Sequence, residues 1–171
     1  PKEVPTSCAR CHTSAGFVDY ATDGKVDAAV SVANGNPGIM CETCHSPEAR
    51  ALTSVTFPSG KVIEGLGPEA RCMTCHQGRE SKVSVDKQIV ETFKVTDADA
   101  VVAPIKDDKG NDVRFGFRNV HYFAAGGTLY GSQAQMGYEY DGKVYDPKFR
   151  HVAEFDTCIA CHDQHATKIR V

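Results

Sequence analysis

A loop-rich fold, with few short α-helices and β-hairpins packed around groups that are not protein, is predicted by three observations. The 171 residues include 15 Gly, 8 Pro and no Trp, and mean hydropathy is -0.34. Such a composition supplies turns more readily than broad apolar layers. The eight cysteines fall into four units of one shape with none left over: Cys8-Ala9-Arg10-Cys11-His12, Cys41-Glu42-Thr43-Cys44-His45, Cys72-Met73-Thr74-Cys75-His76 and Cys158-Ile159-Ala160-Cys161-His162. The third observation is how little regular periodicity lies between those units.

Each attachment unit is expected on a short helical turn. One longer helix is predicted over about Lys82 to Phe93, where Val83, Ile89, Val90 and Phe93 recur near helical spacing. A hairpin is predicted where Tyr138-Glu139-Tyr140 and Lys143-Val144-Tyr145 flank Asp141-Gly142, a dipeptide suited to a type I′ turn. Further hairpins are predicted at Lys109-Gly110-Asn111 and near Ser59-Gly60, with Val26 to Met40 and Val95 to Pro104 read as loop.

C-x-x-C-H is the attachment signature of c-type haem: two thiols form thioethers to the porphyrin vinyl groups and the adjacent imidazole becomes the proximal iron ligand. Cys₄ zinc sites and disulfides also use paired cysteines, but neither accounts for the histidines. With 7 His in the chain, four of four cysteine pairs followed by His has a chance of roughly 3 in a million. Four haem c groups are therefore expected. They are held by Cys8, Cys11, Cys41, Cys44, Cys72, Cys75, Cys158 and Cys161, with His12, His45, His76 and His162 as proximal ligands.

Four haems leave about 43 residues each, too few for separate pockets, so the haems must share walls and supply much of the buried apolar area. The motif starts are separated by 33, 31 and 86 residues. One tetrahaem domain over 1–171 is the expected organisation. It has three close motifs at 8–76, a wrapping insert at about 79–157 that caps the distal faces, and the fourth motif at 158–162.

Bis-histidine ligation of four irons requires eight histidines. After the proximal set, His121, His151 and His165 remain as distal candidates. His165 lies three residues past His162, too short a link to reach the far face of that residue's own porphyrin, so a neighbouring haem is its expected target. For the eighth position three readings stand: a thioether from Met136 or, less well placed, Met40; a five-coordinate iron; or a ligand outside the usual set.

Composition excludes several function classes. There are 19 Lys+Arg against 22 Asp+Glu, which argues against nucleic-acid binding. The longest uncharged segment, Asn119 to Tyr138, is interrupted by Gly126, Gly127, Gln133, Gln135 and His121, so no transmembrane segment is expected. The chain opens Pro1-Lys2-Glu3-Val4-Pro5 with no apolar core behind a basic end, which reads as a mature form. Thioether attachment takes place outside the cytoplasmic membrane, which predicts an extracellular or cell-surface location with the periplasm as alternative. Eight propionates take the formal net charge of -3 to about -11 in the reduced protein, or about -7 when each iron(III) adds one positive charge. Arg79 and Lys82, just after the third motif, could pair with propionates or form a solvated loop.

The residues Asn119-Val120-His121-Tyr122, Ala124-Ala125-Gly126, Leu129-Tyr130-Gly131, Gly137-Tyr138-Glu139-Tyr140, Gly142-Lys143, Tyr145 and His151, followed by the fourth motif and His165, make the last third of the chain similar to the outer-surface multihaem cytochromes of metal-reducing microbes. Tetrahaem members of that group polymerise into extracellular cytochrome nanowires. The first two thirds match mainly through the attachment motifs and their spacing. The resemblance implies stacked haems running end to end in a loop-rich fold, His121, His151 and His165 as distal ligands, and self-association into a homopolymer. Seven histidines are one short of the all-bis-histidine pattern of filament formers.

The expected function is electron transfer rather than enzymatic catalysis, because an iron with two strong axial ligands offers no site to a substrate. The leading expectation is the repeating subunit of an extracellular filament that exchanges electrons with redox partner proteins and external acceptors such as metal oxides. The alternatives are a monomeric periplasmic or surface shuttle, and a small-oxyanion reductase acting at a five-coordinate haem.

Overall fold

In a computed structural model that describes residues 2–32, 38–97, 99–100 and 103–169, the backbone is punctuated at short intervals by residues that start or stop helices. Helix α1 (Thr6–His12) begins where the Pro5 carbonyl accepts the N–H groups of Cys8 and Ala9, each at 2.8 Å. It stops at Thr13, whose backbone is extended. The same residue starts α2 (Ser14–Asp23): its hydroxyl oxygen accepts the Gly16 N–H at 2.9 Å and donates to the Ala9 carbonyl at 2.9 Å. Gly24, at φ 87°, ends α2.

Strand β1 (Glu3–Val4) pairs antiparallel with β2 (Val30–Ser31), Glu3 opposite Ser31. Helices α3 (Cys41–His45) and α4 (Pro47–Ala51) are separated by Ser46. Ser46 precedes a proline and is extended, and its hydroxyl caps α4 through the Ala49 N–H at 3.1 Å. Strands β3 (Val55–Thr56) and β4 (Val62–Ile63) flank the turn at Ser59-Gly60, with Gly60 at φ 85°. Helix α5 (Glu69–His76) carries the third motif.

Helix α6 (Lys82–Gln88) runs into one π-helical turn at Ile89–Phe93 and ends at Lys94, φ 57°. The predicted helix therefore has the expected span, with its last turn widened. Strands β5 (Ile105–Lys106) and β6 (Asp112–Val113) form the predicted hairpin over Lys109-Gly110-Asn111. Helices α7 (Ala125–Leu129) and α8 (Gly131–Ala134) follow. A 3₁₀ turn at Ala153–Phe155 precedes α9 (Cys158–Cys161), after which β7 (His162–Asp163) pairs antiparallel with β8 (Lys168–Ile169). Val26 to Met40 and Val95 to Pro104 carry only the two-residue strand β2 as regular structure among the described residues; positions 33–37, 98 and 101–102 of those predicted loops lie outside them.

The hairpin predicted around Asp141-Gly142 does not form. The turn is present, with Gly142 at φ 74° and the Lys143 N–H on the Tyr140 carbonyl at 3.2 Å. The flanking residues make no ladder, because the Tyr140 N–H is taken by the Tyr145 hydroxyl at 3.1 Å and Val144 is 98% exposed. Alternation without a face to bury does not make a strand.

The chain divides into two compact units: Pro1–Val55 with Ile63–Cys75 and Arg150–Val171, and Thr56–Val62 with His76–Phe149. Ala9, Phe17, Ala49, Ala70 and Met73 form the centre of the first unit, together with buried Thr13, Ser14 and Thr43. In the second, Phe57 and Tyr130 meet with ring centres 6.4 Å apart, and Met136 packs beside Gly78 and Gly127. No helix among the described residues is long and apolar enough to cross a membrane.

Candidate haem-binding site

On a helical turn, positions i and i+3 share a face, so each C-x-x-C unit presents two thiols side by side. All four cysteine pairs sit on such turns, in α1, α3, α5 and α9. His12, His45 and His76 close their helices, whereas His162 is extended and opens β7. The eight cysteines are free thiols. Among the described residues no three His, Cys, Asp or Glu side chains converge as a metal site would require. The donor set of two thiols and one exposed imidazole per unit fits covalent haem: the cysteines would form the thioethers, the imidazoles would bind iron, and the bound group would supply a one-electron redox couple.

Within the first unit the attachment turns touch. The Cys11 thiol lies 3.8 Å from the Thr74 carbonyl and the Cys75 thiol 4.0 Å from that of Arg10. The neighbouring Cys75 thiol, helped by the Arg10 guanidinium, draws Cys11 down to about 5, while Cys75 is pushed up. Cys158 beside Cys72 likewise draws Cys72 down to about 7, and Cys158 is pushed up by that neighbour and by burial. Burial raises Cys44. Thioether formation ends these titrations.

Polar side chains hold the turns in place. The Arg71 guanidinium donates to the Cys44 carbonyl at 2.6 Å and to the Pro68 carbonyl at 3.1 Å. The buried Glu69 carboxylate accepts the Cys158 N–H. The Ser14 hydroxyl accepts the Met40 N–H at 2.7 Å, donates to the Gly38 carbonyl at 3.1 Å and lies 2.6 Å from the Thr43 hydroxyl, which joins α2 to α3. Sequence reasoning missed Glu69, Arg71 and Ser14. The only signal for them is a polar residue within an attachment helix, as for Glu69 and Arg71, or just after one, as for Ser14.

The His76 Nδ1–H donates to the Phe123 carbonyl at 3.0 Å, which fixes the ring and leaves Nε2 for iron. His45 Nδ1 lies 3.4 Å from the Arg50 guanidinium. The His45 and His165 rings stand 6.1 Å apart, centre to centre, with planes inclined by 16°.

Of the other distal candidates, His121 is half-buried at φ 73° with its N–H on the Asn119 side-chain oxygen at 2.9 Å, and His151 is exposed. A left-handed backbone at a histidine that is not a glycine position is a conformation functional sites tolerate. Met136 is buried and borders an apolar cavity of about 550 Å³ with Tyr138, Val144, Tyr145 and Phe149. A side chain on Gly78 would meet its methyl group at 2.9 Å. Met40 is 42% exposed. Lys82 is engaged by Asp86 at 2.6 Å and Asp141 at 3.9 Å, with its ammonium 5.3 Å from the centre of the Tyr138 ring. The Arg79 N–H bonds the Val120 carbonyl at 3.1 Å.

Residues 2–77, which hold the first three attachment units, match the family model described as "Cytochrome c7 and related cytochrome c". The chain is also 29% identical over 173 residues to "C-type polyheme cytochrome OmcB" of two strains of Geobacter sulfurreducens, covering 81% of this chain and 20% of the relative. It is 29% identical over 143 residues to "C-type polyheme cytochrome OmcC" of Geobacter sulfurreducens, covering 83% of this chain and 14% of the relative. The chain thus spans a fifth or less of the length of these curated relatives. No solved structure matches. The chain is thus similar to polyhaem c-type cytochromes along four fifths of its length, and every one of its cysteines belongs to a C-x-x-C-H unit.

Proposed function

We propose that the chain carries four haem c groups and conducts electrons along them, as the repeating subunit of an extracellular or cell-surface filament that delivers electrons to acceptors such as metal oxides. The observation that carries this reading is the contact between attachment turns. Thiols of the first and third units, and of the third and fourth, lie side by side, and Arg71 beside the third reaches the backbone of the second. Haems fixed at such neighbouring points share walls and sit within short transfer distance of one another. His121, His151 and His165 serve as distal ligands beside the proximal His12, His45, His76 and His162. Met136 is the thioether candidate for the remaining position, although its packing against Gly78 and Gly127 equally suits a core side chain.

Intact-mass spectrometry of the native protein tests the cofactor count: 18.5 kDa of polypeptide plus the increment of four haems is expected, and any smaller increment overturns the number. Electron microscopy then tests assembly. Filaments support the subunit role, and only discrete particles at high concentration would make the protein a shuttle between redox partners. The count of seven histidines favours one second reading, reduction of a small oxyanion at a five-coordinate haem. A ferric spectrum without a high-spin component, unchanged by cyanide, removes it.

A further inference from the structure

We infer that His45 and His165 are the two axial ligands of one iron, that of the haem attached at Cys41 and Cys44. This rests on the multihaem reading and assigns a ligand pair within it. An iron between two imidazole nitrogens at about 2 Å from each, with each ring centre about 1.1 Å behind its nitrogen, sets the ring centres roughly 6.2 Å apart. The observed separation is 6.1 Å. That separation is wider than the carbon contacts of about 3.5–4 Å to which rings attracted only to one another close.

Each imidazole is presented by its own locally fixed element. His45 ends α3, which cannot continue because Ser46 is held extended before Pro47 and caps α4. His165 lies in the turn between β7 and β8, where the Asp163 carboxylate accepts the N–H groups of His165 at 3.0 Å and Ala166 at 2.9 Å. Two elements far apart in the chain, each constrained by its own hydrogen bonds, thus bring the imidazoles to a metal-spanning distance within the first compact unit. His162, three residues earlier, belongs to the fourth attachment unit. The segment 162–165 therefore ligates two different irons and fixes the spacing between two haems.

The test uses the haem-loaded protein. His165→Ala should retain its full haem mass while one haem of four changes from low-spin to high-spin and gains carbon monoxide binding in the reduced state. His165→Met should restore a low-spin iron with a raised potential. In the Cys41→Ala/Cys44→Ala background, which carries one haem fewer, adding His165→Ala should convert no further haem. A further conversion there, or no conversion in the full protein, overturns the pairing. If the variants do not accumulate, a density map of the native protein decides the matter: His165 opposite His45 supports the assignment and any other residue there overturns it. Native protein without a haem mass increment would instead sink the multihaem reading itself.

Discussion

At Nδ1, two of the candidate proximal histidines meet opposite partners, which would set the electron density that an iron bound to each receives. His76 donates to a backbone carbonyl, which would make the ring a better donor to a bound iron and lower the potential of that haem. His45 faces the Arg50 guanidinium at 3.4 Å. With iron at Nε2, the ring keeps its proton at Nδ1, where guanidinium offers no acceptor. Arg50 would then act as a nearby positive charge that disfavours iron(III) and raises the potential. Both groups are exposed, so the effect is screened to the order of tens of millivolts. Potentiometric titration of Arg50→Gln should show one haem of the set shifted to lower potential. An upward shift would mean that Arg50 stabilises a deprotonated ring.

Helices α1 and α2 pack so closely that a side chain on Gly16 would lie 2.6 Å from the carbonyl carbon and oxygen of Ala9. Backbone at that distance cannot yield, so Gly16→Ala should cost about 1–3 kcal/mol and loosen the first attachment turn, read as a lower melting temperature of the haem-loaded protein. An unchanged melting temperature would show that α1 shifts freely. This contact also shows why α2 was not legible. Thr13 and Gly24 are ordinary start and stop residues, but Gly16 is a poor helix former whose use emerges only when α1 lies against it. The attachment turns and the hairpins at Ser59-Gly60 and Lys109-Gly110-Asn111 were legible because the residues that force them are local. The Phe123 carbonyl on His76 is backbone and leaves no mark in sequence. The approach of His45 to His165 depends on where two remote turns are placed. At Tyr140, a side-chain hydroxyl replaced the cross-strand partner that alternation alone suggested.

Across the molecule, the largest fully buried side chains among the described residues are Phe17, Phe57, Met73, Gln77, Thr13 and Thr74, half of them polar. Phe117 is 91% exposed, Phe123 80% and Tyr122 77%, so much of the apolar surface lies outside the protein's own core. The two-stranded sheets and short helices of the described residues are each too short to be stable alone. Porphyrin faces would supply the missing apolar area, at about 25 cal/mol for each Å² removed from water. Covalent attachment would also cross-link the chain at each motif and restrict the unfolded ensemble as other cross-links do. Chain made without haem attachment should therefore give a coil-like far-ultraviolet circular dichroism spectrum and be cut rapidly by protease, while the haem-loaded protein resists both heat and proteolysis. A native-like spectrum and equal protease resistance in the haem-free chain would mean that the side-chain core suffices, and that haem is guest rather than scaffold.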